Sequence, residues 1–150
     1  MKKIELYTDG ACSGNPGHGG WGYLLKYKTI EKENFGGSFN TTNNQMELTA
    51  VIEGLKVIKE SCQIDLYTDS RYVLDGCEKW LPDWKKHNWK RADKKPVLNQ
   101  ALWQELDELL SRHQITWHWV KGHAGHPENE RVDALACQGR DMFAPNGGSD

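Results

Sequence analysis

Apolar and polar residues alternate along several short stretches of the chain, which is the spacing typical of β-strands. The pattern predicts five strands, over residues 4–8, 21–27, 33–39, 64–68 and 115–119. Between the first two strands, residues 10–20 contain five glycines and Pro16, so we expect a loop or bulged turn there. The consecutive glycines Gly36 and Gly37 predict a β-bulge in the third strand.

Apolar residues recur at helical spacing over residues 42–59, and this segment is the clearest helix of the chain. Two overlapping capping boxes are available at its start, Thr42 with Gln45 and Asn44 with Glu47. The start of this helix is therefore better defined by the sequence than its end.

Three further helices are indicated by their start signals. Ser70 predicts the cap of a short helix over residues 71–80, and Asn99 predicts the cap of a helix with a stripe of leucines. Pro127 suits the first turn of a last helix, which we expect to run to about Phe143.

The order of these elements predicts the architecture. Three leading strands followed by two helix–strand units predict an α/β fold, with a mixed sheet covered by helices. The helix over residues 42–59 is long enough to connect two parallel neighbours by a right-handed crossover. A length of 150 residues favours one domain, which we place at residues 1–143, with 144–150 as a flexible tail.

Composition argues against several classes of protein. The chain has no run of about 18 apolar residues, so we expect no membrane span. Lys2 and Lys3 are not followed by an apolar segment, which speaks against a secretory signal. The four cysteines are scattered without a CxxC pair, so we expect reduced thiols rather than a zinc site. These features predict a cytoplasmic protein, and we expect a monomer.

Charge is unevenly distributed along the chain. The net charge is −2, yet residues 79–95 carry seven Lys or Arg against two Asp or Glu, a net of +5. Trp80, Trp84 and Trp89 interleave with the lysines of this stretch. Such a segment is either a small aromatic core under a solvated face or a surface that binds a nucleic-acid strand through stacking and phosphate contacts.

One short sequence is nearly repeated in the chain. Residues 5–10, ELYTDG, reappear at residues 65–70 as DLYTDS. If the two strands are parallel neighbours about 4.8 Å apart, Asp9 and Asp69 face each other at the same end of the sheet. Two carboxylates at that separation repel, and one pKa must rise unless a cation lies between them. A divalent metal that prefers oxygen ligands, such as Mg²⁺, Mn²⁺ or Ca²⁺, would meet this need.

Other polar groups admit two interpretations each. Glu47 is either a capping residue or a carboxylate that the apolar helix stripe directs to the rim of the sheet. Asp133 is either a surface acid near a helix start or a member of the acidic cluster. The glycine-flanked His123 is either a surface side chain or a mobile group for proton transfer. The polar run 41–45 either caps the helix or binds a phosphate at free N–H groups.

Four motifs in register resemble the bacterial type 1 ribonuclease H family over about residues 3–140. They are DGACSGNPG at residues 9–17, TNNxME at 42–47, YTDS at 67–70 and WVKGHAGHPENERxD at 119–133. The resemblance implies a five-stranded mixed sheet in the order 3-2-1-4-5 with helices on both faces. It also implies an endonuclease that cuts the RNA strand of RNA–DNA hybrids and leaves 5′-phosphate and 3′-hydroxyl ends.

The resemblance further implies roles for individual residues of this chain. Two Mg²⁺ ions, with Mn²⁺ as an alternative, would be held by Asp9, Glu47, Asp69 and Asp133. His123 would assist proton transfer or product release. Substrate contacts are implied for Cys12, Asn15, Thr42, Asn43, Asn44, Arg71, Trp80, Trp84, Lys85, Lys86 and Asn129. In this assignment the residues up to Asn44 line the minor groove or grip a DNA phosphate, and the stretch 80–95 is a basic protrusion that holds the DNA strand.

One position departs from the family pattern. Gln often follows the Asp-Ser pair in the family, whereas this chain has Arg71. An arginine side chain forms different contacts with a nucleic-acid groove from those of an amide. We also expect a steep salt dependence of hybrid binding, carried mainly by residues 79–95. The competing interpretation is a non-catalytic RNA–DNA hybrid-binding module, and the presence of all four carboxylates speaks against it.

Overall fold

The computed structural model describes residues 1–121 and 126–145 of the chain, so most of the tail predicted over 144–150 lies outside it. Its strands are β1 (Lys2–Gly14), β2 (Gly17–Tyr27), β3 (Ile30–Thr41), β4 (Cys62–Thr68) and β5 (Gln114–Trp119). Its helices are α1 (Asn43–Lys56), α2 (Arg71–Asp75), α3 (Leu81–Lys86), α4 (Gln100–Leu110) and α5 (Pro127–Met142). A π-helical segment, Gly76–Trp80, joins α2 directly to α3.

The five strands form one sheet in the order β3-β2-β1-β4-β5. β2 runs antiparallel to both of its neighbours, β1 and β3. β4 runs parallel to both β1 and β5. This confirms the mixed α/β sheet, and it confirms the strand order that the family resemblance implies.

Helices cover both faces of the sheet. On one face α1 and α4 build the main core, in which Val51, Trp103 and Leu66 are fully buried. On the other face α5 packs against the first three strands, with Val132 beside Leu24. Among the helices within residues 1–121 and 126–145, none is long and apolar enough to cross a membrane. The central strand β1 therefore lies between two helical layers.

A loop or bulged turn is predicted over residues 10–20, and the structure has a turn of only two residues there, Asn15-Pro16, because β1 and β2 continue up to it. Gly14 serves the turn with a φ of 103°, whereas other glycines of this region serve close packing. A Cβ on Gly20 would lie 2.2 Å from the backbone carbonyl oxygen of Ala136 in α5. Glycine thus lets α5 approach the backbone of β2, a use that composition alone does not distinguish from a turn.

The bulge predicted at Gly36 and Gly37 is also misplaced, since both residues pair regularly with β2. The register shift between β2 and β3 lies between Gly17 and Gly19. A Cβ on Gly37 would lie 2.7 Å from the carbonyl oxygen of Gly139 in α5. Gly37 too therefore marks a contact between a helix and the sheet.

The predicted helix caps are largely confirmed. In the capping box of α1, the Gln45 N–H donates to Thr42 Oγ1 and the Thr42 N–H donates to Gln45 Oε1, each at 3.2 Å. Ser70 Oγ accepts a hydrogen bond from the Val73 N–H and so caps α2. α1 ends at Lys56, three residues before the predicted end.

Two helices differ from the prediction in detail. The helix predicted over residues 71–80 does not end there, because the π-helical segment leads directly into α3, whose first turn contains Pro82. Asn99 precedes α4 as predicted, but its φ is 61° and its side chain makes no cap hydrogen bond. Asn99 Oδ1 instead accepts a hydrogen bond from Gln45 Nε2 at 3.1 Å, which ties the start of α4 to that of α1.

Candidate active site

β1 and β4 bring the two repeated sequences side by side. Tyr7 pairs with Tyr67 in parallel register, so the repeats align residue for residue. Asp9 lies on β1 just beyond this pairing, and Asp69 follows the last residue of β4. The predicted approach of the two carboxylates at one end of the sheet is therefore confirmed.

Glu47 joins Asp9 and Asp69 in a group whose ligand oxygens all lie within 4.8 Å of one another. Glu47 lies early in α1 and is only 7% exposed, and Asp9 is 5% exposed. A Cβ on Gly10 would lie 2.5 Å from the backbone nitrogen of Glu47, so this glycine lets α1 reach the strand. Because Gln45 completes the capping box, the interpretation of Glu47 as a capping residue is wrong.

Burial and mutual repulsion raise the pKa of these carboxyl groups. The pKa of Asp9 is raised from its ordinary 3.8 to about 8, first by burial, then by the charge of Asp69 and a hydrogen bond with Asp133. The pKa of Glu47 is raised well above its ordinary 4.5, again first by burial and then by its two neighbours. The Gly10 N–H, 2.9 Å from Asp9 Oδ1, lowers the pKa of Asp9 but does not offset these causes. The group therefore resists full ionisation unless a cation is present.

Asp133 approaches the group from α5, on the face of the sheet opposite α1. It is half-buried, and its hydrogen bond with Asp9 is one of the causes of the raised pKa of Asp9. Among the described residues, the group within 4.8 Å comprises Asp9, Glu47 and Asp69 and does not extend to Asp133. The structure thus brings three of the four predicted metal ligands together and places the fourth beside Asp9.

The turn between β1 and β2 lies against the start of α1. The backbone N–H of Asn43 donates to Asn15 Oδ1 at 2.9 Å. Cys12 lies in the same hairpin, with its thiol 2.8 Å from a backbone carbonyl oxygen. The hydroxyl of Thr42 already serves as the helix cap, and Asn44 is half-buried in the first turn. These predicted substrate contacts therefore form one surface at the edge of the sheet.

The tryptophans of the basic stretch pack mainly against each other and against α4. The ring centroid of Trp84 lies 5.8 Å from that of Trp80 and 5.2 Å from that of the fully buried Trp103. Trp89 lies 6.2 Å from Trp84. The aromatic-core interpretation therefore accounts for much of this set, and stacking of Trp80 and Trp84 on a nucleic acid stays a prediction.

Several cations of the basic stretch are paired with acids. The pairs are Lys79 with Asp75 at 3.7 Å, Lys85 with Asp107 at 3.1 Å and Arg91 with Asp93 at 2.8 Å. Lys86 is exposed in the last turn of α3. The positive charge available to a ligand is therefore smaller than the count over residues 79–95 indicates.

Arg71 begins α2, two residues after Asp69. Its guanidinium carbon lies 4.9 Å from the ring centroid of Trp119, and its Nη2 lies 2.9 Å from Asp75 Oδ1. Trp119 ends β5 beside Thr68 and is 45% exposed. The sequence placed Trp119 in a strand and at the start of the fourth family motif, but gave it no role in the site. The available signal was a large aromatic residue at the end of that strand, level with the end of its parallel neighbour.

Two predicted site residues remain. Asn129 is buried in the first turn of α5, with 5% of its surface exposed. His123 lies outside the described residues. The roles expected of both stay predictions.

Comparison with known proteins identifies close relatives. The RNase H family model matches residues 1–141 of the chain. The chain is 59% identical over 150 residues to the ribonuclease H of Chelativorans sp. strain BNC1, covering 100% of this chain and 93% of the relative. It is 61% identical over 143 residues to the ribonuclease HI of Brucella melitensis biotype 1, covering 95% of this chain and 93% of the relative.

Solved structures share the fold. LC9-RNase H1, described as a type 1 RNase H with the type 2 active-site motif, gives a TM-score of 0.86 at 33% identity, covering 99% of this chain and 76% of that chain. The N-terminal RNase H domain of Rv2228c from Mycobacterium tuberculosis gives a TM-score of 0.69 at 23% identity. That match covers 95% of this chain and 96% of the other, and at this identity it shows the fold alone.

Proposed function

The chain belongs to the RNase H family, and we propose that it is an endonuclease that hydrolyses the RNA strand of RNA–DNA hybrids, leaving 5′-phosphate and 3′-hydroxyl ends. The observation that carries this proposal is the carboxylate group of Asp9, Glu47 and Asp69, of which the first two are buried, just beyond the parallel pairing of β1 with β4. A carboxylate group of this kind suits phosphodiester hydrolysis because it can hold cations against a negatively charged substrate.

The carboxylate group fits divalent ions such as Mg²⁺, or Mn²⁺ as an alternative. All of its donors are carboxylate oxygens, which both ions prefer. The raised pKa values of Asp9 and Glu47 also favour a cation, because opposite charge lets both ionise at neutral pH. With Asp69 and Asp133 they would hold two ions. When bound, two such ions supply an activated water and stabilise the leaving oxygen of an in-line displacement.

The protein's own polar groups would bind and orient the substrate. Asn15 and Asn43 are held together beside the carboxylate group, where amide and backbone groups can sense a 2′-hydroxyl of the RNA strand. At the start of α1 the N–H groups of Asn43 and Gln45 already donate within the protein, which leaves the Asn44 N–H for a phosphate. The exposed Lys86 and its neighbours on α3 would contact the DNA strand. His123 would assist proton transfer, and a monomeric, cytoplasmic protein stays the expectation.

Asp69→Asn tests the role of the carboxylate group. The change keeps the side-chain shape but removes a charged ligand. We expect hybrid hydrolysis to fall by more than about 100-fold, since loss of even an outer partner of a metal ligand costs about 10–100-fold. Cleavage of an end-labelled RNA strand in Mg²⁺ measures activity, and circular dichroism verifies folding.

Asp141→Asn is the matched control, because it makes the same change on an aspartate that is 68% exposed near the end of α5. It should retain activity close to that of the unmodified protein. Near-normal activity of a folded Asp69→Asn variant would refute the assignment. A protein that binds the hybrid without cutting it would instead support the non-catalytic binding module.

A further inference from the structure

The carboxylate group has two flanks along the edge of the sheet. On the β1, β2 and α1 flank, Asn15 and Asn43 form the surface described above. On the other flank β5 lies next to β4, and Trp119 pairs with Thr68, the residue just before Asp69. A strand bound across the carboxylates would therefore pass over this β5 flank as well. Arg71 and Trp119 lie there together.

The Arg71 side chain is oriented before any ligand binds. Its guanidinium stacks on the Trp119 ring at 4.9 Å, and Nη2 donates to Asp75 Oδ1 at 2.9 Å. A guanidinium has five N–H donors, and the Asp75 bond uses one side of the fork. Since the Arg71 side chain is 50% exposed, its remaining donors can reach a ligand. An arginine side chain that is already oriented loses less conformational freedom per hydrogen bond than a free lysine side chain.

Charge around Asp75 is not balanced. This carboxylate lies 2.9 Å from Arg71 Nη2 and 3.7 Å from Lys79 Nζ, so one acid faces two cations. Its side chain is only 23% exposed, whereas those of the two cations are 50% and 64% exposed. Asp75 therefore orients the cations without neutralising both of them. The β5 flank keeps a surplus positive charge beside an acidic site.

We propose that Arg71 binds a backbone phosphate of the RNA strand that flanks the cleaved bond, with Trp119 and Asp75 as its positioning residues. The proposal rests on the function proposed above, since it takes the strand crossing the carboxylates to be the RNA. The guanidinium is planar and permanently charged, and its remaining N–H donors suit the oxygens of a phosphate group. The side-chain amide that the family often has at this position is uncharged. The contact made by the charged Arg71 therefore depends on the salt concentration.

Arg71→Gln tests the phosphate contact. Loss of one neutralised phosphate should reduce the slope of log(kcat/KM) against log[KCl] by about 0.7–0.9 between about 50 and 200 mM salt. KM should rise on the order of fivefold, the effect of one exposed ion pair, while kcat stays within about twofold. The readout is hybrid cleavage in Mg²⁺ over a salt series.

Arg112→Gln is the matched control. Arg112 is also a half-exposed arginine, at 56%, and it too pairs with a carboxylate four positions away, Glu108. It lies just before β5 begins, at the opposite end of the sheet from Asp69. Its removal should leave both KM and the salt slope unchanged.

Trp119→Leu tests positioning separately from charge. We expect KM to rise while the salt slope is largely kept, and Trp119→Phe should restore most of the affinity because it restores a ring face. The double variant with Arg71→Gln should be little worse than Arg71→Gln alone, because the two side chains act as one unit. Fully additive effects of the two changes would contradict the positioning role.

The outcomes separate this inference from the proposed function. If the unmodified protein does not cut the hybrid, the proposed function fails. If it cuts, and Arg71→Gln has the same salt slope as Arg112→Gln, the function stands and the phosphate contact is refuted. If the salt dependence of kcat/KM becomes weaker in Arg71→Gln but not in Arg112→Gln, the phosphate contact is supported.

Discussion

Asp9 shows how a single residue can be poorly suited to the folded state and well suited to its site. It is 5% exposed, faces Asp69 and shares a hydrogen bond with Asp133, and its pKa rises to about 8. In the unfolded chain the same group ionises near pH 3.9. Without metal, the folded state therefore binds more protons than the unfolded state at intermediate pH, and folding loses stability as pH rises from about 4 to 8.

Asp9→Asn should therefore stabilise the metal-free protein at neutral pH. An amide is neutral in both the folded and the unfolded state, so folding no longer has to protonate a carboxylate. The gain should be at least about 1 kcal/mol, a rise in Tm of about 2–4 °C for a chain of this size. The gain should shrink towards pH 4, because Asp9 becomes protonated in the unfolded chain as well as in the folded state. Thermal unfolding in EDTA at several pH values measures this, with the exposed Asp141→Asn as control. A lower Tm for Asp9→Asn at neutral pH would contradict the electrostatic explanation.

Individual site residues differ in how far the sequence could reveal them. Asp9 and Asp69 were predictable because each ends a copy of one repeated strand sequence. Helical periodicity directed Glu47 to the rim of the sheet but did not distinguish a site carboxylate from a capping residue. The stacking of Arg71 on Trp119 was not predictable, since it depends on the register between β4 and β5 and on how a short helix leaves the sheet.

Among the elements, α1 links stability to the site most directly. Its capping box joins Thr42 to Gln45, Asn43 donates a hydrogen bond to Asn15, and its second turn carries Glu47. The sequence located this start correctly because capping is a local interaction. It misjudged the glycines of β1 and β2, because their role is contact with helices distant in the sequence.

Thr42→Ala should destabilise the fold by about 1 kcal/mol, because the Gln45 N–H loses its acceptor at the helix start. The expected fall in Tm is about 2–4 °C. Thr42→Ser keeps the hydroxyl and should be close to the unmodified protein. Thermal unfolding followed by circular dichroism distinguishes the two variants. Equal losses in both would show that the methyl group, rather than the cap, is what stabilises this start.

For the molecule as a whole, sequence predicted the arrangement of the sheet better than the electrostatics of the surface. The order of strands and helices was enough for a mixed sheet with helices on it, since connections are short and crossovers right-handed. The net charge of +5 over residues 79–95 was correct as a count. Ion pairs such as Lys85 with Asp107 reduce the positive charge that is available to a ligand. These pairs depend on the packing of α3 on α4.

The most direct test is cleavage of four end-labelled substrates by the unmodified protein in Mg²⁺. The substrates are an RNA–DNA hybrid, duplex RNA, duplex DNA and single-stranded RNA of one sequence. The buried carboxylates and the family membership predict internal cuts in the RNA of the hybrid alone, with 5′-phosphate ends and no cutting in EDTA. Cutting of duplex DNA, or cutting of the hybrid that persists in EDTA, would contradict the proposed function.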